Sequence, residues 1–357
     1  MGPVAPLLSI VEVCREKDLK TEFLWVGTKN GPEKAMVEAY VVPFKAIISG
    51  KLRRYFSLYN ILDIFKIKIA FWQSLFLLMK EKPDLLISAG GFVSVPLHWA
   101  GALLGIPTWI HQQDVEVGLA NKMMAKVAKK ITTALEISVK NFSKNKTEWI
   151  GNPVRNLSVK GMDFAWKMFH LKKDAPVILA LGGGTGSDEI NKIIAEAVPT
   201  WPPEWQVIHL IGKGRSHDLP EEVESSHSNY HIYSFLAEEM KDAYAVADVV
   251  IARAGFATIT EAASLKKPLI LYPIVNSHQE KNAKFLAENK AAVVLNGSES
   301  NSKLTQTLIG LLNNTKKREE LGNNLYQVLP PAKKETIWRI VEELASSCDC
   351  EKPPMRR

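Results

Sequence analysis

Cysteine is scarce in this chain: only Cys14, Cys348 and Cys350 occur among 357 residues. Their spacing offers neither a zinc-ligand pattern nor a disulfide framework, which suits a reducing compartment. Cys348-x-Cys350 lies in a polar tail and reads as incidental. The first residues hold no basic-then-apolar run of the signal-peptide kind. A clean apolar stretch of ~18 residues, the length needed to cross a bilayer, is also lacking. Residues 55–79 come nearest, and Asp63, Lys66, Lys68 and Gln73 interrupt them. Neither a GxGxxG fingerprint nor a Walker loop occurs, and no short repeat is visible.

What is present is ordinary globular material: 46% hydrophobic and 23% charged residues, enough chain for two domains of usual size. The net charge of +7 and a pI of about 9.1 suit nucleic acid, phosphorylated substrates or an anionic membrane surface. Residues 55–79 read as one or two amphipathic helices. Lys51, Arg53 and Arg54 precede them, with Tyr55, Phe56 and Tyr59 close behind. Basic residues beside aromatics suit an anionic lipid surface, although a core helix with a solvated basic end has the same composition.

Along the chain, helical and extended patterns alternate. A helix is expected at 6–16, extended segments at 22–27 and 40–48, and a short buried strand at 85–88 running into Ala89-Gly90-Gly91. A strand at 107–111, a helix at 119–129 and a strand at 131–135 follow. The pattern breaks around Gly151-Asn152-Pro153, and a polar stretch to about Lys173 reads as a linker. Alternation restarts with strands at 176–181, 205–211, 231–233, 249–252, 268–272 and 291–295, and helices at 303–312 and 335–345 close the chain. Two doubly wound parallel sheets are expected, with ligands in the cleft between them.

Four places carry candidate chemistry. Residues 247–282 read as a strand, a turn at Gly255, a helix start at 258–261, a second strand and a polar loop ending in His278-Gln279. A helix start after a glycine turn offers N–H groups and a positive dipole end to an anion. Glu261, expected in that first turn, could accept both hydroxyls of a ribose. Strand–Gly182-Gly183-Gly184-Thr185-Gly186–helix is a glycine loop open to a diphosphate, or simply a tight turn. Ser88-Ala-Gly90-Gly91-Phe92 is a weaker second turn of this kind. His111-Gln112-Gln113-Asp114 follows a strand at the carboxyl edge, where sites of this architecture collect. There Asp114 is either a general base or the cap of the next helix. His98 lies on an apolar helix and reads as a packed histidine.

Together these motifs resemble the MurG family, which adds GlcNAc from UDP-GlcNAc to lipid I in peptidoglycan synthesis. The resemblance rests on SAGGFVSVP at 88–96, IPTWIHQQDVEVGLANK at 106–122, GNPVR at 151–155, GGGTGSDEIN at 182–191 and the block at 247–283. It implies an α/β glycosyltransferase B fold of two doubly wound parallel-sheet domains facing a cleft. Residues 1–155 would form the acceptor domain and 156–330 the donor domain, with the helix at about 335–346 crossing back to the first. Glu261 would hold the ribose and the Leu236 backbone the uracil. Gly184, Thr185, Gly186, Ala257 and Thr258 would surround the diphosphate. Gln279, perhaps joined by His278, would contact the sugar, and Arg155, Asn191 and Arg253 fall on family positions. Gly90, Gly91 and Phe92 would serve the acceptor side. The undecaprenyl-diphosphate-linked lipid I and an anionic membrane, met by Lys51, Arg53, Arg54, Tyr55 and Phe56, would be the partners. The resemblance places the chain peripherally on the cytoplasmic face of a bacterial membrane, without cofactor, metal or nucleic acid.

The chain also departs from the family. The family opens on a strand and a glycine loop, GGTGGH, whose histidine is a candidate base. Here residues 1–6 align only with the end of that loop, and Pro3 stands in the histidine's place. The resemblance therefore implies a central strand upstream of Met1, without which its neighbours lose ladder partners. Pro3 cannot titrate. Asp114 stands where the family usually has Asn, so Asp114 is expected as the substitute base, with His111 beside it. Alternatives to lipid I transfer are a related glycolipid transferase, a UDP-sugar-binding protein without transfer, and a UDP-GlcNAc epimerase of the same fold.

Overall fold

A computed structural model describes residues 2–31, 33–50, 59–183, 186–215, 227–297 and 301–349, without the side chains of 59–64 and 347–349. The expectations for Lys51, Arg53, Arg54, Tyr55, Phe56, Gly184 and Thr185 lie outside the described residues, as does that for Cys350. The chain forms two compact units, one of residues 1–155 and 332–357, the other of residues 156–331.

The first unit opens with α1 (Val4–Lys17), two residues earlier than expected. Next come β1 (Trp25–Gly27), α2 (Glu33–Ala39) and β2 (Phe44–Ala46), the strands pairing in parallel with Trp25 beside Phe44. Then α3 (Tyr59–Glu81), β3 (Leu86–Ser88), α4 (Ser94–Leu103), β4 (Thr108–Gln112), α5 (Leu119–Met124), β5 (Lys130–Thr133) and β6 (Thr147–Trp149) follow. Strands β3 to β6 form a second parallel sheet in sequence order. No ladder joins β1 to β3 among the described residues. Apolar packing joins them instead, since Val26 of β1 meets Leu78, Leu86 and Ala100.

Helix α5 stops five residues before the expected end. The chain must turn there so that Lys129 N–H reaches the Thr108 carbonyl (2.9 Å) and β5 can pair with β4. The final helix, α13 (Lys334–Asp349), brings Ile337, Ile340 and Leu344 onto Ile10, Val13 and Cys14 of α1 and Trp109 of β4. Burial raises the Cys14 thiol to about 11, so it packs as a small hydrophobe rather than reacting.

The second unit holds α6 (Met162–Met168), β7 (Val177–Leu181), α7 (Asp188–Ala197), β8 (Gln206–Leu210), β9 (Tyr230–Tyr233), α8 (Met240–Val246), β10 (Val249–Ala252), α9 (Phe256–Ser264), β11 (Leu269–Leu271), α10 (His278–Glu288), β12 (Val293–Val294), α11 (Asn301–Leu312) and α12 (Thr315–Val328). Its strands run in the order β12-β11-β10-β7-β8-β9 and pair in parallel throughout. Every residue of β7, β8, β10 and β11 is buried, as befits strands covered on both faces. From β7 the chain winds outward through β8 and β9, then returns to place β10 on β7's other side. The switch point lies between β7 and β10.

In the second unit α6 falls inside the stretch read as a linker, and several further features differ from expectation. Helix α9 begins at Phe256, directly after Gly255, so Glu261 sits in the second turn rather than the first. The polar loop is shorter than read: Ser277 caps α10 by accepting from Gln279 N–H (3.2 Å), and His278 and Gln279 lie in its first turn. Helix α12 was not read at all. Its apolar seam is only Leu321 and Leu325, with an Asn314 cap accepting from Lys317 N–H (3.0 Å).

Buried histidines tie both sheets to pH. Burial lowers His98 and His111 from 6.5 to about 4 and His209 to about 3. Below about 6.5 the unfolded chain takes up protons that the folded chain refuses until about 4. Stability is therefore full above that upper value and is lost as pH falls through the interval. Thermal melts should show the midpoint dropping by more than about 10 °C across it. A flat midpoint there would contradict buried neutral rings.

Candidate functional site

At the switch point of the second unit lies a cleft of about 450 Å³, of the size that holds a small organic ligand. Gly182, Gly183, Gly186 and the start of α7 line it after β7. Arg253, Gly255 and Thr258 line it after β10, Arg215 after β8, and Ile274 and Gln279 after β11. All stand at carboxyl ends of strands, where backbone N–H groups and helix N-termini converge on an anion.

The glycines are required. Gly183 and Gly186 have φ of 86° and 74°, and Gly186 N–H closes the turn onto the Gly183 carbonyl at 3.0 Å. A Cβ on Gly186 would run into the Ile211 carbonyl oxygen, and one on Gly182 into the Ser187 backbone. The Ile211 carbonyl is itself fixed, because Asn191 Nδ2 donates to it at 3.0 Å. Asn191 Oδ1 lies 3.2 Å from His209 Nε2, and His209 Nδ1 lies 2.6 Å from the Tyr230 hydroxyl. An amide oxygen can only accept, so His209 donates from Nε2 and takes the Tyr230 proton at Nδ1. Asn191, expected to touch ligand, is fully buried instead. It braces the loop from behind, because its amide is needed to satisfy a buried carbonyl.

The cleft is also charged. Arg253 donates to the Tyr272 carbonyl at 3.2 Å and pairs with Glu189 at 2.7 Å. Arg215 pairs with Asp188. Among the expected donor residues, the cleft gathers Gly186, Arg253, Thr258 and Gln279. Arg155, Leu236, Ala257, Glu261 and His278 are not in its lining. Glu261 shares a helix face with Ala257 and Thr258, one turn further along. Gln279 accepts from Ile274 N–H at 3.2 Å, which fixes its amide at the rim. Arg215, Asp188 and Glu189 were missed by sequence reasoning. The signal for Arg215 was its glycine-flanked place, Gly212-Lys213-Gly214-Arg215, directly after an apolar strand.

In the first unit a buried polar chain orders the segment after β4. Trp109 Nε1 donates to Thr132 Oγ1 (2.8 Å), which stands 2.8 Å from His111 Nδ1, while His111 Nε2 meets Asn152 Oδ1 at 2.7 Å. By the same logic His111 accepts from Thr132 and donates to Asn152. His111 is fully buried and neutral, pushed down to about 4 by burial, so it cannot exchange a proton with a ligand. The expectation of a catalytic imidazole is corrected: the ring positions Asn152. Gln112 donates to the carbonyls of Asp114 (2.7 Å) and Glu116 (3.2 Å), and Asn121 donates to Gln112 Oε1 (2.7 Å). This holds Asp114, a half-buried carboxylate, in the bend before α5. The cap of α5 is Gly118, without a side-chain cap bond, so Asp114 does not cap that helix.

Gly90 and Gly91 turn with φ of 120° and 100°, and Phe92 follows them half-buried. Pro3 caps α1 and its ring stands 3.9 Å from where a Cβ of Gly90 would lie. Gln113 Nε2 donates to the Gly2 carbonyl at 3.2 Å. Pro3, the Gly90 turn and the segment after β4 thus form one neighbourhood.

Residues 1–133 match the glycosyltransferase family 28 N-terminal domain, and residues 177–335 match the glycosyltransferase family 28 C-terminal domain. The chain is 38% identical over 277 residues to a UDP-N-acetylglucosamine–N-acetylmuramyl-(pentapeptide) pyrophosphoryl-undecaprenol N-acetylglucosamine transferase of Staphylococcus carnosus, covering 77% of this chain and 75% of that one. A Staphylococcus aureus protein of the same name is 35% identical over 335 residues, 90% of this chain and 92% of its own. Among solved structures, Acinetobacter baumannii MurG superposes with a TM-score of 0.71 at 23% identity, over 95% and 96% of the two chains. A Neisseria meningitidis UDP-GlcNAc 2-epimerase bound to UDP-GlcNAc gives 0.65 at 11%, over 96% of each. These last two likenesses establish the fold alone.

The loop geometry can be checked directly. Gly186→Ala should cost about 2–3 kcal/mol in denaturant unfolding, from positive φ and the clash with Ile211 together. Unchanged stability would mean that the turn is not built as described.

Proposed function

We propose a specific reaction on one premise: this chain belongs to glycosyltransferase family 28. It transfers N-acetylglucosamine from UDP-GlcNAc to the 4-hydroxyl of the N-acetylmuramyl unit of lipid I, with inversion, giving lipid II for peptidoglycan synthesis. The observation that carries this reading is the glycine-and-arginine cleft at the switch point, in a chain whose relatives bear the name of that transferase.

The second unit holds the donor. N–H groups of the Gly182–Gly186 turn, the start of α9 and the Arg253 guanidinium meet the diphosphate and the charge that develops on it as UDP leaves. Thr258 contacts the same group. Gln279, with His278, serves the sugar hydroxyls. Glu261 takes the ribose, and the Leu236 backbone reads the uracil. Asn191 acts through the Ile211 carbonyl.

The first unit takes the acceptor. Pro3 has no proton to exchange, and the buried His111 is closed to ligand, so Asp114 remains as general base for the acceptor hydroxyl. Gln112 and Asn121 position it. Gly90, Gly91 and Phe92 give the acceptor a backbone surface. Pro3 also favours a second reading, donor binding without transfer.

Membrane contact is assigned to α3 as well as to Lys51, Arg53, Arg54, Tyr55 and Phe56. Phe65, Ile69, Trp72, Phe76 and Met79 recur every three or four residues and are all exposed, Phe76 at 66%. The opposite face, Ala70, Ser74 and Leu78, is the buried one. Trp99 and Leu103 of the adjacent α4 extend the apolar surface. Lys66, Lys68, Lys80 and Lys82 flank it. Each lysine close to an anionic bilayer adds about 1 kcal/mol, and apolar plus basic signals together give stable attachment where either alone is marginal. Among the described residues no helix is long and apolar enough to cross a membrane. Peripheral attachment on the cytoplasmic face is part of this reading.

Radiolabelled GlcNAc transfer tests the reaction. Lipid I should be converted and diacylglycerol should not; UDP-GlcNAc binding by calorimetry without UDP release on adding lipid I would favour the second reading. Asp114→Asn should lower turnover by ~10²-fold while donor affinity changes little; near-normal turnover would reject the base assignment. For the membrane, Trp72→Asp with Phe76→Asp should abolish co-sedimentation with anionic vesicles and leave UDP binding intact. Continued co-sedimentation would rule α3 out.

A further inference from the structure

The donor cleft contains two carboxylates, which is unexpected where a diphosphate is to bind. Asp188 and Glu189 occupy the first turn of α7 and line the cleft. Acids there are favoured by the helix dipole, and that alone would explain them as helix partners. Two observations go further. Each is paired with an arginine from a different strand end, Glu189 with Arg253 at 2.7 Å and Asp188 with Arg215. Glu189 is also seated, since a Cβ on Gly297 would run into its carboxylate. Arg253 is mostly buried, at 13% side-chain exposure, and its Nε has no partner. Its guanidinium is thus held by the Tyr272 carbonyl and Glu189, which fixes it at the cleft.

We propose that Glu189, with Asp188 as a weaker second, is a built-in competitor for the nucleoside diphosphate. It occupies the arginines when no diphosphate is present and is displaced from them on binding. This rests on the donor reading above. Carboxylate and diphosphate compete for the same guanidinium and repel one another at short range. Donor affinity is thereby held down, and after transfer the returning carboxylate speeds release of UDP. Glu189 acts through Arg253 and is a positioning residue rather than a catalytic one.

Calorimetric titration of the full chain with UDP, and with uridine as the phosphate-free control, tests the inference. Glu189→Gln should bind UDP about fivefold more tightly, with uridine affinity unchanged. Asp188→Asn should show a smaller gain of about twofold, because Asp188 is 74% exposed and better screened. A pair that merely supported the fold would give weaker binding on its removal, so the direction decides. Equal or weaker UDP binding by folded Glu189→Gln overturns the proposal. Should that variant not fold, Asp188→Asn decides, a gain supporting the inference and no gain overturning it. A wild-type chain that does not bind UDP overturns the donor reading itself, and the inference with it.

Discussion

The cleft of the second unit depends on one constraint of topology: β7 and β10 lie side by side while the chain leaves them for opposite ends of the sheet. Their carboxyl ends cannot be covered by one connection, so a crevice opens there. Glycines after β7 and Gly255 after β10 let the backbone come close to whatever enters. The charge pattern is secondary to this. Arg215, Arg253, Asp188 and Glu189 come from separate segments and meet only because those strand ends do.

In both units a buried neutral histidine holds a functional segment from behind. His209 grips Asn191, which grips the Ile211 carbonyl against Gly186. His111 grips Asn152 while its own carbonyl accepts from Asn121 at 3.2 Å. Each ring donates from Nε2 to an asparagine and accepts a hydroxyl proton at Nδ1. A buried network of this kind is costly when half satisfied and rigid when complete.

Much of this was legible in sequence, and the failures have physical causes. Continuous apolar runs such as Val-Ile-Leu-Ala-Leu at 177–181 mark strands buried on both faces, and glycines mark the turns after them. Helix α12 escaped because its seam is two leucines among charges, stabilised by contacts that local periodicity does not carry. Glu261 was placed a turn too early because Gly255 occupies the N-cap, leaving no polar side chain to signal the start. His111 and Asn191 sit at motif positions and so read as ligand contacts. Burial, which decides against that, is set by strands distant in sequence. The exposed stripe of α3 was half visible. Its amphipathic composition could be read, but which face is covered depends on α4.

The candidate positions of the two units rest on different kinds of support. In the second unit the cleft is shaped by backbone turns and a strand order, which most side-chain changes leave in place. The first turn of α7 carries two acids within that same frame. In the first unit the proposed base is a single carboxyl, on a residue whose backbone carbonyl is fixed by Gln112, itself held by Asn121. At position 3 a proline, which cannot titrate, stands where the family that the sequence resembles carries a histidine. Replacement at one position is then met by chemistry at another only if the new group falls within the same neighbourhood. Gln113, adjacent to Asp114, bonds to the Gly2 carbonyl, adjacent to Pro3, so the lost and the gained positions meet that condition.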